Sequence, residues 1–305
     1  MSKIRNMINE LSILIPTFND DCLQQVEELQ RAAMQIDGLQ FEILVSDDAS
    51  TDPEVVKSNI KIDTLEHCRL LRHDTNLGRA ANRNFLVREA QYEWLLFLDC
   101  NVKTNPKNFL QNYLQSEPAD LVIGGVGIDE DPDLAIHNLR YMYEKKIQPK
   151  HDATHRQKHP YQSFRTTNFM ARRSVMLDHP FDETLKGYGY EDVLFGKRLS
   201  EKGMNIRHID NPVVMTHFES NEKYVAKIEE AMRTLYGLRD QLAGYSPLLS
   251  TANRLRKWHL STLFLFFFQQ LSERVRKNLT GETPSIKWLN LYKLGYFLTL
   301  YPQRS

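Results

Sequence analysis

The sequence predicts an α/β fold: a mostly parallel sheet flanked by helices, followed by a helical C-terminal extension. Three observations lead there. Short apolar runs alternate with stretches of helical periodicity over the first two thirds of the 305 residues. Acidic and amide residues fall just past the ends of those runs. Beyond about residue 220 the pattern becomes helical and aromatic to the end. Alternating strands and helices imply a parallel sheet, and such sheets bind ligands outside the carboxyl ends of their strands.

"LSILIP" (11–16) is an apolar run ended by proline and reads as a buried strand. Residues 20–36 have helical spacing, with Leu23, Val26, Leu29 and Ala33 on one face and Asn19 or Asp20 as the cap. "FEILVSDDAS" (41–50) is a second strand released into a loop, and "CRLLRHD" (68–74) a third. "NLGRAANRNFLVREA" (76–90) reads as a turn and then a helix. "YEWLLFLD" (92–99) is a fourth strand and "ADLVIGGVGI" (119–128) another. Residues 129–165 look irregular and polar. "YGYEDVLFGKRLSEKG" (188–203) contains a helix with Gly203 as its stop, and "NPVVMTHFES" (211–220) is a strand that delivers His217. The expected domains are 1–220 and a helical extension, 221–305.

Lys plus Arg equals Asp plus Glu at 39 each, so bulk charge does not point to nucleic acid. Cys22, Cys68 and Cys100 are far apart in sequence and have no zinc or disulfide spacing, which suggests free thiols in a reducing cytosol. The N-terminal residues lack the apolar core of a signal peptide. No run approaches the ~18 apolar residues of a membrane span.

Six motifs stand in a particular order: "SILIPTFN", "ILVSDDASTD", "NLGRAANRNFL", "WLLFLDCNV", "GYGYEDVLFGKRL" and "VVMTHFES". This order resembles family 2 glycosyltransferases of the GT-A (Rossmann-like) fold over roughly residues 11–220. The likeness is strongest to the chondroitin-polymerase and galactosyltransferase-like branch. It implies a nucleotide-sugar donor, most often a uridine diphosphate sugar. Pro16, Thr17 and Asn19 match the family's first nucleotide loop, and Asp48 matches the carboxylate that holds base or ribose. A carboxylate suits that task because uracil N–H and ribose hydroxyls are donors. An Asx turn closing the bend is the other account of Asp48, and the favoured one for Asp47. Arg79 and Arg83 open a helix after Gly78, placed to approach the diphosphate or to brace Asp99. Solvated arginines on an amphipathic helix are the alternative.

"FLDCNV" (97–102) departs from the family's Asp-x-Asp clamp. Asp99 matches the first acid, but Asn101 replaces the second. Asparagine supplies a neutral oxygen ligand, so a cation would be held weakly. His217 matches a metal-ligating histidine of the galactosyltransferase-like branch. Imidazole beside oxygen favours Mn²⁺ over Mg²⁺. The resemblance thus implies a weak site of Asp99, Asn101 and His217. A silent nucleotide-sugar-binding or scaffold relative stays open, as does transfer without metal. Cys100 is expected to point into the core.

In "GYGYED" the resemblance implies Asp192 as the base that deprotonates the acceptor hydroxyl in an inverting displacement, with Glu191 holding acceptor hydroxyls. Acids also cap helices, which is the structural account of the pair. Asn168 is read either as a donor or acceptor contact or as a turn residue. His151, His155 and His159 are four apart, but Pro149 and Pro160 bracket them; a mobile basic loop fits better than zinc. A nucleotidyltransferase would share the sheet, but no glycine-rich phosphate loop with a lysine follows the first strand.

Leu260, Leu263, Phe264, Phe267 and Leu271 share a helical face between basic flanks. Residues 254–301 therefore suit a membrane surface, a partner helix or the protein's own core. The expected partners are a nucleotide-sugar donor and a glycan or lipid-linked acceptor, and no nucleic acid. The expected location is cytoplasmic, peripheral at the inner face of the plasma membrane.

Overall fold

A computed structural model describes residues 8–100, 102–105, 107–117, 119–150 and 152–302. In chain order its elements are β1 (Glu10–Thr17), α1 (Leu23–Met34), β2 (Gln40–Asp47), α2 (Pro53–Asn59), β3 (Cys68–Arg72), α3 (Arg79–Glu89), β4 (Trp94–Leu98), β5 (Val102–Lys103), α4 (Phe109–Leu114), β6 (Leu121–Ile123), β7 (Val126–Gly127), α5 (Leu134–His137), α6 (Leu139–Ile147), α7 (Ala153–Lys158), β8 (Asn168–Arg172), α8 (Arg173–Asp178), α9 (Glu191–Glu201), β9 (Ile206–His208), β10 (Val213–Met215), α10 (Asn221–Gly237), α11 (Pro247–Lys257), α12 (Ser261–Leu279) and α13 (Ile286–Thr299).

The chain forms two compact units. The first holds the described residues through Ile128, then Lys150–Lys186 and Arg198–His217. The second holds Asp129–Pro149, Gly187–Lys197 and the described residues from Phe218 onward. The break after His217 lies close to the expected boundary at 220. The second unit also takes in two earlier segments that sequence periodicity did not separate out.

The first unit is built on a sheet in the order β3-β2-β1-β4-β8-β6-β9. Strands β1 to β4 run parallel, and β8 runs antiparallel to both β4 and β6. The central strands are apolar at nearly every position because helices cover both faces. Leu11, Ile13, Leu14 and Ile15 are fully buried, as are Ile43, Leu44 and Val45, and Leu95 to Leu98. The register decides where chemistry can gather. Thr17 pairs with Asp47, Leu98 with Asn168, and Ile123 with Phe169. The ends of β1, β2, β4 and β6 and the start of β8 therefore share one edge.

The strand expected over 119–128 is broken in two. β6 stays in the large sheet, while β7 joins a small one ordered β5-β10-β7. Gly124 and Gly125 allow the switch. A Cβ on Gly124 would lie 2.4 Å from Asn168 Nδ2 and Tyr113 Oη. Gly125 has φ +92°, and its Cβ would lie 2.7 Å from Arg156 Nη2. Helix α1 starts later than expected, at Leu23, whose N–H donates to Asp21 Oδ1 at 3.0 Å; neither Asn19 nor Asp20 caps it. Residues 129–165 contain α5, α6 and α7 rather than irregular chain. Their caps, Asn138 for α6 and Asp152 for α7, were hidden among many polar residues.

In the second unit, segment 129–149 is tied to the C-terminal helices by buried polar groups. Asn138 Nδ2 donates to the Glu219 carbonyl at 2.9 Å, and Leu139 N–H to Asn221 Oδ1 at 2.7 Å. Glu219 pairs with Arg140 and Lys227. Burial pushes the Glu219 carboxyl up, but the Arg140 charge outweighs it and holds the group down at about 2. The glycines of "GYGY" serve close packing on α10. A Cβ on Gly189, at φ +89°, would lie 2.8 Å from the Ala231 Cβ, and one on Gly187 would lie 2.8 Å from Thr234 Oγ1. Helix α12 buries Leu265, Phe268, Val275 and Leu279, and Gly295 of α13 lets the Phe268 ring lie flat against it. The face singled out in the sequence is mainly the outward one, with Leu260, Leu263, Phe267 and Leu271 exposed.

Candidate functional site

At the carboxyl edge of the first unit, loops after β1, β2 and β4 are cross-linked by side chains. Asn19 has φ +54°. Its N–H donates to Ser50 Oγ at 2.8 Å, and its side-chain oxygen accepts from Thr51 N–H at 2.8 Å and Asp52 N–H at 3.0 Å. Thr17 is buried and its hydroxyl donates to the Asp20 carbonyl at 3.0 Å, while Pro16 is half-buried before it. Asp48 is 4% exposed. Its carboxylate accepts from Leu77 N–H at 2.6 Å and Gly78 N–H at 3.0 Å, which clamps the turn that opens α3. Asp47 is fully buried and accepts from Ser50 N–H at 2.9 Å and Arg72 Nε at 3.3 Å.

Arg83, one turn into α3, is 4% exposed and its Nη2 donates to Asp99 Oδ1 at 2.7 Å. Asp99 follows β4, and its side chain is 34% exposed. Its N–H donates to the Thr167 carbonyl at 3.0 Å, and its own carbonyl accepts from Gln25 Nε2 at 3.0 Å. Burial raises the Asp99 carboxyl. The charges of Arg83 and Arg79 and a bond from Thr167 outweigh burial and hold it below the ordinary carboxylate range. Asp99 is therefore ionised at neutral pH. Arg79 is exposed at the first position of the same helix.

Asn82 was not singled out in the sequence. It is 2% exposed, and its Nδ2 donates to the Ser46 carbonyl at 3.1 Å. Among the described residues its Oδ1 and Arg83 Nε are buried without hydrogen-bond partners. The available signal was the weak amphipathicity of α3, whose residues 80–84 are all buried. A helix start that is buried all round yet carries Asn, Arg and Asn is built for polar contact.

His217 lies two residues beyond β10. Met215 pairs antiparallel with Val102 of β5, so the chain leaving β10 passes beside the chain that leads from Asp99 into β5. Register thus carries Asp99 and the exposed His217 to the same end of that ribbon. Asn101 lies outside the described residues, as does His151. No group of three His, Cys, Asp or Glu side chains suited to a metal occurs among the described residues. That includes the region of His155 and His159, where α7 is a helix rather than the expected loop.

Cys22 and Cys100, distant in sequence, meet with Sγ atoms 2.7 Å apart. The hydrogen bond to Cys22, then burial, pushes the Cys100 thiol far up, so it is protonated at neutral pH. Cys100 packs on the core, as its place beside Asp99 suggested. Asn168 is 1% exposed, and its amide is engaged by Tyr113 Oη and by the Gly125 and Asn211 carbonyls. It holds the sheet edge together.

Asp192 and Glu191 belong to the second unit, at the start of α9. Tyr190 precedes them at φ +67°, and Asp192 Oδ1 accepts from Val193 N–H at 2.8 Å. Burial, with the Asp192 charge among the lesser causes, pushes the Tyr190 phenol up.

A mixed sheet of this order, with polar loops and an arginine–aspartate pair at its carboxyl edge, is the GT-A type of α/β fold. The chain belongs to the family described as "Glycosyl transferase family 2", whose model matches residues 12–179. It is 30% identical over 223 residues to a validoxylamine A glucosyltransferase of Streptomyces hygroscopicus subsp. limoneus, covering 64% of this chain and 48% of that protein. It is 24% identical over 237 residues to a chondroitin synthase of Escherichia coli, covering 67% and 34%. The chain thus spans about half the length, or less, of these curated relatives. A mannosyltransferase from Pyrobaculum calidifontis, solved with GDP-Man and Mn²⁺, shares the fold at 17% identity and a TM-score of 0.55, covering 95% of this chain and 84% of that one.

Replacing Arg83 with methionine leaves a half-buried carboxylate without its main counter-charge. Arg83→Met should cost about 2 kcal/mol at pH 7, below the range for a fully buried pair because Asp99 touches solvent. The Asp99 pKa is lowered by folding. Its contribution is therefore full above the unfolded carboxylate pKa near ~4 and fades as pH falls through the folded value. Urea unfolding of both proteins from pH 7 to pH 3 should show the gap narrowing in acid; a gap independent of pH contradicts the pairing.

Proposed function

We propose that the chain is an inverting glycosyltransferase that moves a sugar from a uridine-type nucleoside diphosphate donor to a hydroxyl of a glycan or lipid-linked acceptor. Membership of family 2, together with the gathering of Thr17, Asn19, Asp48, Arg79, Arg83 and Asp99 at one sheet edge, carries this reading. The loops of Pro16 to Asn19 and Asp48 frame the base and ribose, and their cross-links hold them in place before the donor arrives. The Asp48 carboxylate is already committed to two N–H groups, so its part is to fix the loop at least as much as to touch the donor. Arg79 and Arg83 supply positive charge for a diphosphate whose negative charge grows as the sugar leaves.

The donor set for a divalent cation is one ionised carboxylate, Asp99, with neutral Asn101 and His217. It fits a weakly held Mn²⁺ better than Mg²⁺. When bound, such a cation stabilises the leaving diphosphate. Arg83 competes for the Asp99 charge, which weakens the site further. Asp192 takes the acceptor proton as the oxygen attacks, and Glu191 holds neighbouring acceptor hydroxyls. The N-terminal turn of a helix favours negative charge, which suits a carboxylate acting as a base.

The acceptor is met at an anionic membrane surface. Among the described residues no helix is long and apolar enough to cross a membrane. Yet Trp258 is 64% exposed, and Phe266 and Phe267 are each 58% exposed at the start of α12. No acidic residue occurs between Asp240 and Glu273, whereas Arg254, Arg256 and Lys257 adjoin Trp258. Apolar rings with a basic collar suit an interfacial contact.

Calorimetric titration with UDP, with and without Mn²⁺, tests the donor site. UDP should bind, and Mn²⁺ should tighten it several-fold. Asp192→Asn should bind UDP as the native protein does but lose transfer by 100-fold or more, on the order of a general base's contribution. Absence of UDP binding overturns the donor reading, and binding indifferent to Mn²⁺ overturns the metal. Near-native turnover in Asp192→Asn overturns the base. Co-sedimentation with phosphatidylglycerol vesicles, lost in a Phe266→Ser/Phe267→Ser variant, checks the membrane contact; binding retained in that variant contradicts it.

A further inference from the structure

Two loops of the carboxyl edge meet at sulfur. Cys22 ends the loop between β1 and α1, and Cys100 follows Asp99 beyond β4; their Sγ atoms lie 2.7 Å apart. β1 and β4 are neighbours in the sheet, so the contact bridges adjacent strand ends. The third cysteine, Cys68, starts β3, where its Sγ faces the Glu66 carbonyl at 3.4 Å.

The main chain on each side of this contact is held. Cys22 N–H donates to Asn59 Oδ1 at 2.9 Å, and its carbonyl accepts from Val26 N–H at 2.9 Å. Asn59 is fully buried at the end of α2, and its Nδ2 donates to the Asp20 carbonyl at 3.0 Å. Next to Cys100, the Asp99 N–H and carbonyl are bound to Thr167 and Gln25. The sulfurs are therefore kept together by their own backbones. An S–S bond is about 2.05 Å long, so closing the contact into a bond takes less than about 1 Å of movement. Access is one-sided: Cys22 is fully buried, whereas Cys100 is partly exposed. An oxidant meets Cys100 first, with Cys22 behind it as the resolving thiol.

We propose that Cys22 and Cys100 form an oxidation site, which hydrogen peroxide converts to a disulfide that staples the loop after β1 to the chain beyond Asp99. The Cys100 sulfur attacks one peroxide oxygen, the O–O bond breaks, and the other oxygen leaves as water with the thiol proton. The Cys22 sulfur then attacks the Cys100 sulfenic acid. The S–O bond breaks, and its hydroxyl leaves as water with the Cys22 proton. Two thiols lose two electrons in all, and one peroxide becomes two waters. The thiolate is the nucleophile and Cys100 is held protonated, so the first step is slow and the pair answers sustained exposure. A small thiol reverses the bond by exchange. The cysteines are 78 positions apart, and closing so long a loop takes much freedom from the unfolded chain.

The native chain is incubated with hydrogen peroxide, alkylated without reductant and analysed by mass spectrometry and thermal unfolding. Only Cys68 should take the alkylating group, and the Cys22 and Cys100 peptides should be recovered as one linked species lighter by two hydrogens. The melting temperature should rise by several degrees and return on adding dithiothreitol. Cys100→Ser should show no such rise; should that variant not fold, the native protein's mass and melting data decide alone. Alkylation of all three cysteines after peroxide overturns the proposal. So does a Cys100 that stops at sulfinic or sulfonic acid, a disulfide between two chains, or a Cys22–Cys100 bond that leaves the melting temperature unchanged.

Discussion

The contact between Arg83 and Asp99 is the constraint on which the carboxyl edge depends. A guanidinium that is almost wholly buried must have a carboxylate, and the carboxylate that answers it stands at the end of a different strand. The pair fixes the first turn of α3 against the end of β4. Asp48 performs a matching task one loop earlier, binding the two N–H groups that lead into the same helix. Hydrogen bonds to charged groups contribute about 1.5–3 kcal/mol each. Two acids, after the strands on either side of β1, therefore hold one helix start, and Arg79 is presented from a fixed base.

The same economy explains why so many polar residues of the edge are already satisfied. Asn19, Asp48 and Asn168 each bind the backbone of another loop, and Asp47 binds the backbone of its own. A donor entering such an edge meets loops that are preset, so little ordering is left to its binding energy. Arg79, the outer part of Asp99 and His217 are exposed at this edge. This is a site whose scaffold is cross-linked, with Arg79 and Arg83 supplying positive charge beside Asp99.

Strand ends were legible in the sequence because each apolar run stops at Pro16, Asp47 or Asp99, and parallel strands put such ends on one edge. Arg83 was legible as a brace for Asp99 because it follows Gly78 at helical spacing. The break at Gly124 was not legible, since the need for two glycines arises from Tyr113, Asn168 and Arg156, all distant in sequence. Nor was the inward face of α12: the run "FLFFF" carries apolar residues on every side, and only Gly295 of a later helix decides that Phe268 turns in. Segment 129–149 looked like a loop because its partners, Glu219 and Asn221, lie some 80 residues on. The meeting of Cys22 with Cys100 was hidden in the same way.

The Asp99 carboxyl carbon, followed by NMR on protein labelled at aspartate and assigned with Asp99→Asn, reports the central contact directly. Its titration should lie clearly below the ordinary aspartate value of about 3.9 and move upward in Arg83→Met. A native Asp99 that titrates at or above that value would mean the guanidinium does not govern the edge.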